Sequence, residues 1–441
     1  MARRRLIAWG FVVLAFAVVP GAAQAQQGVI LNGGGPVSRS MGGVGAANPV
    51  DSLSCLFWNP AGLSALPQNE MTFGSEFIWA HPRLFSLLPA NTFGRGLPPI
   101  TLGGESTSES GVMLMPNFGL AHHVEGSDVT LGLGVLSAAG FSANYPASLF
   151  NPVLTPQPPN GFGVGRLYAE LQVVQVVPTV SLQLTDRLSV GFSPIIDIAN
   201  LRASPLLVAP PDDANGNGFF TYPDGEQTRW HWGAGFQIGV YYSGCNGWNF
   251  GASFKSPQWM DTFRFNTVDE LGRPRADSAR FDLPWIASVG ASYTGFEHWI
   301  FAADLRYIDY RNAEGFDDTG FQANGAVRGL GWDSQFVIAA GAQYQLSDRL
   351  ALRAGYSFNN NPQDASVAFF NVAAPTILEH TVYTGFSYNL SQCLTLSVAY
   401  IHAFESSVEG PLTLPVGAIP GTSVRSSVSA DAATFGFTVR Y

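Results

Sequence analysis

Apolar and polar residues alternate one by one along much of this chain. In LALRAGYSF, residues 350–358, Leu350, Leu352, Ala354, Tyr356 and Phe358 share one face, and Arg353, Gly355 and Ser357 share the other. The same two-residue period runs through QFVIAAGAQYQL (335–346), WIFAADLRY (299–307) and LSVGFSPIIDI (188–198). Period two predicts strands with one apolar face. Strands are predicted near 70–81, 112–124, 128–143, 166–184, 188–200, 228–243, 247–265, 281–294, 298–310, 331–346, 349–359, 377–390, 393–404 and 425–441. Their connections alternate between short turns (EGSD, TDR, SGCNG, TGFEH, SDR, LSQ) and long loops (82–111, 144–165, 201–227, 362–376, 405–424). Short turns at one end and long loops at the other are the pattern of a transmembrane antiparallel β-barrel. The fold class expected is all-β, with about fourteen strands and twelve or sixteen as the neighbouring counts.

Composition decides which side of the strands meets what. Charged residues are 12% of the chain, against about 25% in soluble domains, while aromatics are 13% and glycine is 49 of 441. So many apolar faces with so little charge opposite them are better covered by lipid outside than by a second sheet. Trp230, Trp232, Tyr242, Trp248, Trp285, Tyr293, Trp299, Tyr307, Tyr344 and Tyr388 sit at strand ends, where interfacial girdles belong. The first 25 residues have a basic start (Arg3, Arg4, Arg5), an apolar stretch and Ala23-Gln24-Ala25, and read as a secretory signal peptide. Its removal leaves 19 basic against 32 acidic residues, a net charge of −13 that argues against a nucleic-acid partner. The chain ends ATFGFTVRY, a strand closing on an aromatic, which resembles the C-terminal signature read by the outer-membrane barrel assembly machinery.

Residues 26–69 lack strand alternation, yet Val44, Leu53, Leu56, Phe57, Trp58, Leu63 and Leu66 need burial. Only a barrel lumen offers it, so the segment is expected to be a plug, with 70–441 as the barrel. Asn59-Pro60 would end an apolar helical turn and send the chain toward the wall.

Signals of other chemistry are weak. Asp213, Asn215, Asn217 and Asp224 approach the spacing of a calcium loop, but flanking helices are missing and an Asn-Gly turn explains them equally. Cys55, Cys245 and Cys393 have no metal spacing, and the last two fall on turns six strands apart. His122 and His123 face opposite sides of a strand, and neither HExxH nor GxSxG occurs. No metal, cofactor or catalytic residue is expected. A barrel enzyme and a general porin are the rival classes; the plug argues against the porin.

The glycine-rich GGPVSRSMGGVGAA, then SLSCLFWNPAGLSAL with Asn59, Pro60 and Ala61, resemble the hatch and NPA motif of the FadL family of outer-membrane transporters for hydrophobic compounds. MPNFGLAHHV, LGLGVLSAAGFSANYP, LPWIASVGASY, DLRYIDY and YIHAFESSVEGP extend the resemblance along the chain. It implies a fourteen-stranded barrel in the outer membrane of a Gram-negative-type bacterium, among lipid and lipopolysaccharide. A hydrophobic ligand, most simply a long-chain fatty acid and alternatively an aromatic or alkane hydrocarbon, would be captured by outer loops and held in an internal pocket. It would then leave sideways at a kink in the third strand. Here that strand loses its alternation at Ser137, Ala138, Ala139 and Gly140, where small residues permit a bulge. Capture would fall to apolar loop residues such as Phe85, Leu87, Leu88, Leu206 and Leu207, unless these only pack on one another. A carboxylate ligand would call for Lys255, Arg306 or Arg353, unless each is paired with lumen acids such as Asp304, Asp197 and Glu76.

Overall fold

The computed structural model describes residues 26–441; the signal-peptide reading of residues 1–25 lies outside the described residues. Fourteen strands make the wall: β1 (Glu70–Ala80), β2 (Val112–His123), β3 (Val129–Tyr145), β4 (Leu167–Thr185), β5 (Leu188–Ser204), β6 (His231–Ser243), β7 (Trp248–Lys255), β8 (Ile286–Tyr293), β9 (Trp299–Ile308), β10 (Gln335–Ser347), β11 (Leu350–Asn359), β12 (His380–Asn389), β13 (Leu394–Gly410) and β14 (Ser423–Arg440). Each pairs antiparallel with its neighbours. β14 closes on β1 from Arg440–Glu70 to Ala430–Ala80. Closure leaves no unpaired first or last strand, as a wall in lipid requires.

The barrel is apolar outside and polar or small within. Phe73, Leu133, Phe192, Ile238, Phe250, Leu305, Ile338 and Phe437 point outward and are exposed. Ser181, Ser193, Gln237, Ser288, Ser357, Ser397 and Thr434 occupy inward positions and are buried. Aromatics pair across strands near both rims: Trp248 with Tyr293 (4.9 Å) and Trp299 with Tyr344 (4.7 Å) beside the short turns, Trp285 with Tyr307 (5.2 Å) and Tyr307 with Phe336 (4.9 Å) beside the long loops.

Two stretches differ from the sequence reading. The strand expected over 247–265 is interrupted after Lys255 and rejoins β6 only at Trp259–Met260, and Phe263–Val268 instead forms a separate hairpin with Pro274–Ala279. FRFNTV alternates like a wall strand, but its partner is local. The loop expected over 82–111 contains a hairpin, Arg83–Leu88 with Leu102–Thr107, that prolongs the sheet beside β14.

Residues 26–66 lie inside the ring. A two-stranded ribbon (Gln26–Gln27 with Ile30–Leu31) leads into helix α1 (Gly35–Ser40), helix α2 (Ser52–Trp58) and a 3₁₀ turn (Pro60–Ala65). Asp51 caps α2 by accepting from the Ser54 amide at 2.7 Å. Apolar side chains alone do not explain the close seat of this segment. Wall glycines do: a Cβ at Gly191, Gly251, Gly341 or Gly355 would fall on the backbone of Ala61, Ala46, Met41 or Gly42 respectively, and one at Gly239 on the Asn59 side chain. The inner face is pared to backbone where the segment's own backbone lies against it.

Candidate functional site

An apolar cavity opens between β4, β5 and the long loops. Ala169, Leu171 and Val173 of β4 and Ala199, Leu201 and Ala203 of β5 form one side. Leu206, Leu207, Val208, Met260, Phe263, Phe281, Leu283, Phe316, Leu330 and Phe370 close it from the loops, and Phe141 of β3 borders it. The cavity has a volume of about 100 Å³, and every residue lining it is apolar. Such a space rewards transfer of hydrocarbon from water by about 0.8 kcal/mol per CH₂ and offers a charged group nothing.

Polarity returns one layer down. Gln175 and Asp197 take the next inward positions on β4 and β5. The Gln175 amide donates to Asp197 Oδ1 at 2.9 Å, and Lys255 Nζ lies 3.4 Å from Gln175 Oε1 and 4.9 Å from the Phe57 ring centre. Lys255 is the only lysine in the chain and is buried, while Asp197 Oδ2 has no hydrogen-bond partner among the described residues.

Beside the cavity the wall breaks. β2 pairs with β3 only between Asn117–Leu136 and His123–Thr130. Beyond that, β3 swings away with a register shift against β4 between Ser137 and Ala139. Asn117 Oδ1 accepts from the Ser137 amide at 3.0 Å, and Ser137 Oγ donates to the Pro116 carbonyl at 2.7 Å. The N-terminal ribbon then covers the gap from inside: Ile30 pairs with Ala139, the Gly140 amide donates to the Val29 carbonyl at 3.0 Å, and Gln26 Nε2 donates to the Gly140 carbonyl at 2.9 Å. A smaller cavity at the gap is lined by Gln26, Met113 and Phe141 among others, so Phe141 borders both spaces.

The NPA residues hold the segment to the wall. Asn59 Nδ2 donates to the Ala46 and Val240 carbonyls (2.6 and 3.0 Å), and Asn59 Oδ1 accepts from the Ala61 amide (3.1 Å), with Pro60 starting the 3₁₀ turn. Arg306 is the polar centre. It donates to Asp304 (2.7 Å), to Asn32 (3.0 Å) and to the Gly43 carbonyl, and its guanidinium stacks 3.7 Å from the Trp58 ring centre. Asp304 Oδ2 also accepts from the Gly45 and Ala46 amides (2.8 and 3.1 Å), and Arg39 pairs with Glu76.

The residues singled out in the sequence therefore separate. Leu206 and Leu207 line the cavity. Phe85, Leu87 and Leu88 lie in the outer hairpin, where Arg425 covers the Phe85 ring at 5.0 Å, and they do not reach the cavity. Arg306 is committed to Asp304 and the N-terminal segment. Arg353 lies toward the short turns, bonded to Gln343 (2.7 Å) and Ser387 (2.7 Å), in a polar cavity that also contains Asp51, Arg349 and Arg440. Burial, reinforced by Glu70, pushes the Asp51 carboxyl up to about 7. Asp51 thus keeps its proton in the folded protein where an unfolded chain has lost it, and stability falls as pH rises from the ordinary carboxylate range to about 7. Asp51→Asn is expected to flatten that part of the pH profile of thermal unfolding.

Asp213 spends both carboxylate oxygens on the Asn217 and Gly218 amides, and Asp224 accepts from the Glu226 amide. Among the described residues no group of His, Cys, Asp and Glu could hold a metal ion. Cys245 and Cys393 are free and exposed, and Cys55 is free and buried. Phe141, Phe263, Phe316 and Phe370 escaped sequence reading, because the pattern along each segment says nothing of which aromatics from distant segments meet at one cavity.

A closed fourteen-stranded wall, apolar outside, filled within and carrying a hydrophobic cavity, defines an outer-membrane channel for hydrophobic compounds. The chain matches the model of the outer membrane protein transport protein family (OMPP1/FadL/TodX) over residues 14–441 and belongs to that family. It is a transport protein of the outer membrane and not an enzyme. No curated protein matches it in sequence. Among solved structures it resembles the Pseudomonas putida toluene transporter TodX at 18% identity (TM-score 0.66, 94% of this chain, 100% of that one). It also resembles the Ralstonia pickettii toluene transporter TbuX at 16% (0.67, 93% and 99%) and a Pseudomonas aeruginosa FadL homologue at 14% (0.69, 94% and 99%).

Proposed function

We propose that this family member takes up uncharged hydrophobic compounds. The outer loops collect the solute, and the cavity walled by Leu206, Phe263, Phe316 and Phe370 holds it. The segment over residues 26–69 acts as a hatch, and the break at Ser137–Gly140 is the exit into the membrane. The observation that carries this reading is the wholly apolar lining of the cavity. The toluene transporters among its structural neighbours support it as well.

Long-chain fatty acids are the second reading, favoured by Lys255. Among the described residues its ammonium has one long hydrogen bond, and it lies a layer beneath the cavity. Equilibrium binding to purified protein separates the two, with labelled oleate and toluene as competing probes. For an uncharged ligand, toluene displaces the label and Lys255→Met leaves toluene binding unchanged. For a fatty acid, toluene competes poorly and Lys255→Met weakens oleate about tenfold or more, the worth of one charge-assisted hydrogen bond. Under either reading, Ala199→Phe fills the space beside Val173 and Leu201 and is expected to weaken binding about tenfold or more by removing room for several CH₂ groups. Brisk passage of small sugars in liposome swelling would overturn both.

A further inference from the structure

We propose that Tyr310 is a positioning residue that latches the N-terminal ribbon over the break in β3 and ties that latch to the cavity. The inference rests on the preceding reading of cavity and exit. Tyr310 follows β9 and is fully buried. Its hydroxyl donates to the Gln27 carbonyl at 2.6 Å and accepts from the Val29 and Ile30 amides at 3.0 and 3.3 Å. One donor and two lone pairs are thereby all used, and three backbone groups of the ribbon depend on one oxygen. Gly28 turns left-handed (φ +64°) around that oxygen, and a Cβ there would sit 2.5 Å from it.

The ribbon's other edge meets β3 through Val29 and Gln26, as described above. It is therefore clasped between Tyr310 and Gly140. Freed from the hydroxyl, it would keep only the few bonds that cover the gap.

The ring of Tyr310 leads to the cavity. It packs edge-on against Phe316 (5.2 Å) and Trp332 (5.0 Å). Trp332 is anchored by its indole N–H to Asn371 at 2.6 Å. The Phe316 side chain is held by ring packing alone, against Phe281, Tyr310 and Trp332, and lines the cavity. A solute pressing on Phe316 shifts a ring that supports Tyr310 and draws the hydroxyl off the ribbon. The ligand need have no charge, because the signal travels by packing.

The test is maleimide labelling of full-length protein in nanodiscs, carrying Val29→Cys with Cys245→Ser and Cys393→Ser. Tyr310→Phe keeps the ring and removes the three bonds. It is expected to speed labelling about tenfold or more without ligand and to abolish any further response to toluene or oleate. The reporter protein alone should label faster with whichever probe binds. Gly28→Ala, which pushes the ribbon off the hydroxyl from the other side, should match Tyr310→Phe. Retained heat-modifiable mobility on gels establishes that each variant is folded. Labelling of Tyr310→Phe at the reporter's rate would overturn the latch. A reporter that binds a probe with no change in labelling would overturn the coupling. Failure to bind either probe appears in the separate binding measurement and strikes the proposed function instead.

Discussion

Valine at position 251 is expected to leave the barrel standing and to unseat what fills it. The inner face of β7 passes so close to the N-terminal segment that a Cβ on Gly251 would fall on the Ala46 carbonyl. Neither side of that contact is a side chain that can swing aside. Overpacking in a yielding core costs about 1–3 kcal/mol; here backbone meets backbone, and the segment itself must move. Asn59 Nδ2 also binds the Ala46 carbonyl, so the NPA turn loses its seat in the same event. Single-channel recordings in planar bilayers should show a large, persistent conductance for Gly251→Val and little for the parent. Ala252→Val, one residue on and facing lipid, should behave like the parent. A Gly251→Val channel as closed as the parent would mean that the segment does not occlude the lumen.

The second large effect is expected at Arg306. Its guanidinium neutralises Asp304, caps the Gly43 carbonyl, binds Asn32 and stacks on Trp58, all away from water. Arg306→Met leaves Asp304 buried with only the Gly45 and Ala46 amides for company. Removing one partner of a buried ion pair costs about 3–5 kcal/mol, because the other charge stays behind uncompensated. The midpoint of heat-induced mobility change on gels should fall steeply. Replacing Asp304 by leucine in the same chain should recover much of the loss, since the stranded charge goes with it. If Arg306→Met unfolds with the parent's midpoint, Arg306 is not the hub of the N-terminal segment.

Legibility in the sequence followed the range of each interaction. A wall strand is a local pattern, and alternation alone located all fourteen. The same signal misled at FRFNTV, because alternation says that a segment pairs but not with what; Phe263–Val268 pairs with its own hairpin. The bulge near Ser137 was visible because it is itself an interruption of pattern. The cavity was not, because its walls come from loops far apart in sequence. Leu206 and Leu207 stood out only as an apolar run. Tyr310, the last residue of DLRYIDY, was not singled out, since nothing near it in sequence announces a ribbon some 280 residues upstream. The glycines were countable from the start, but their purpose depends on which of them face residues 41–61.

That joint also bears on how freely such a protein can diverge. Where main chain rests on main chain, selection sees only the size of a few positions and is blind to the identity of most others. Side chains on either partner can drift without redrawing the seam. A shape shared across nearly the whole chain with proteins only 14–18% identical is what a scaffold held together in this way would leave behind.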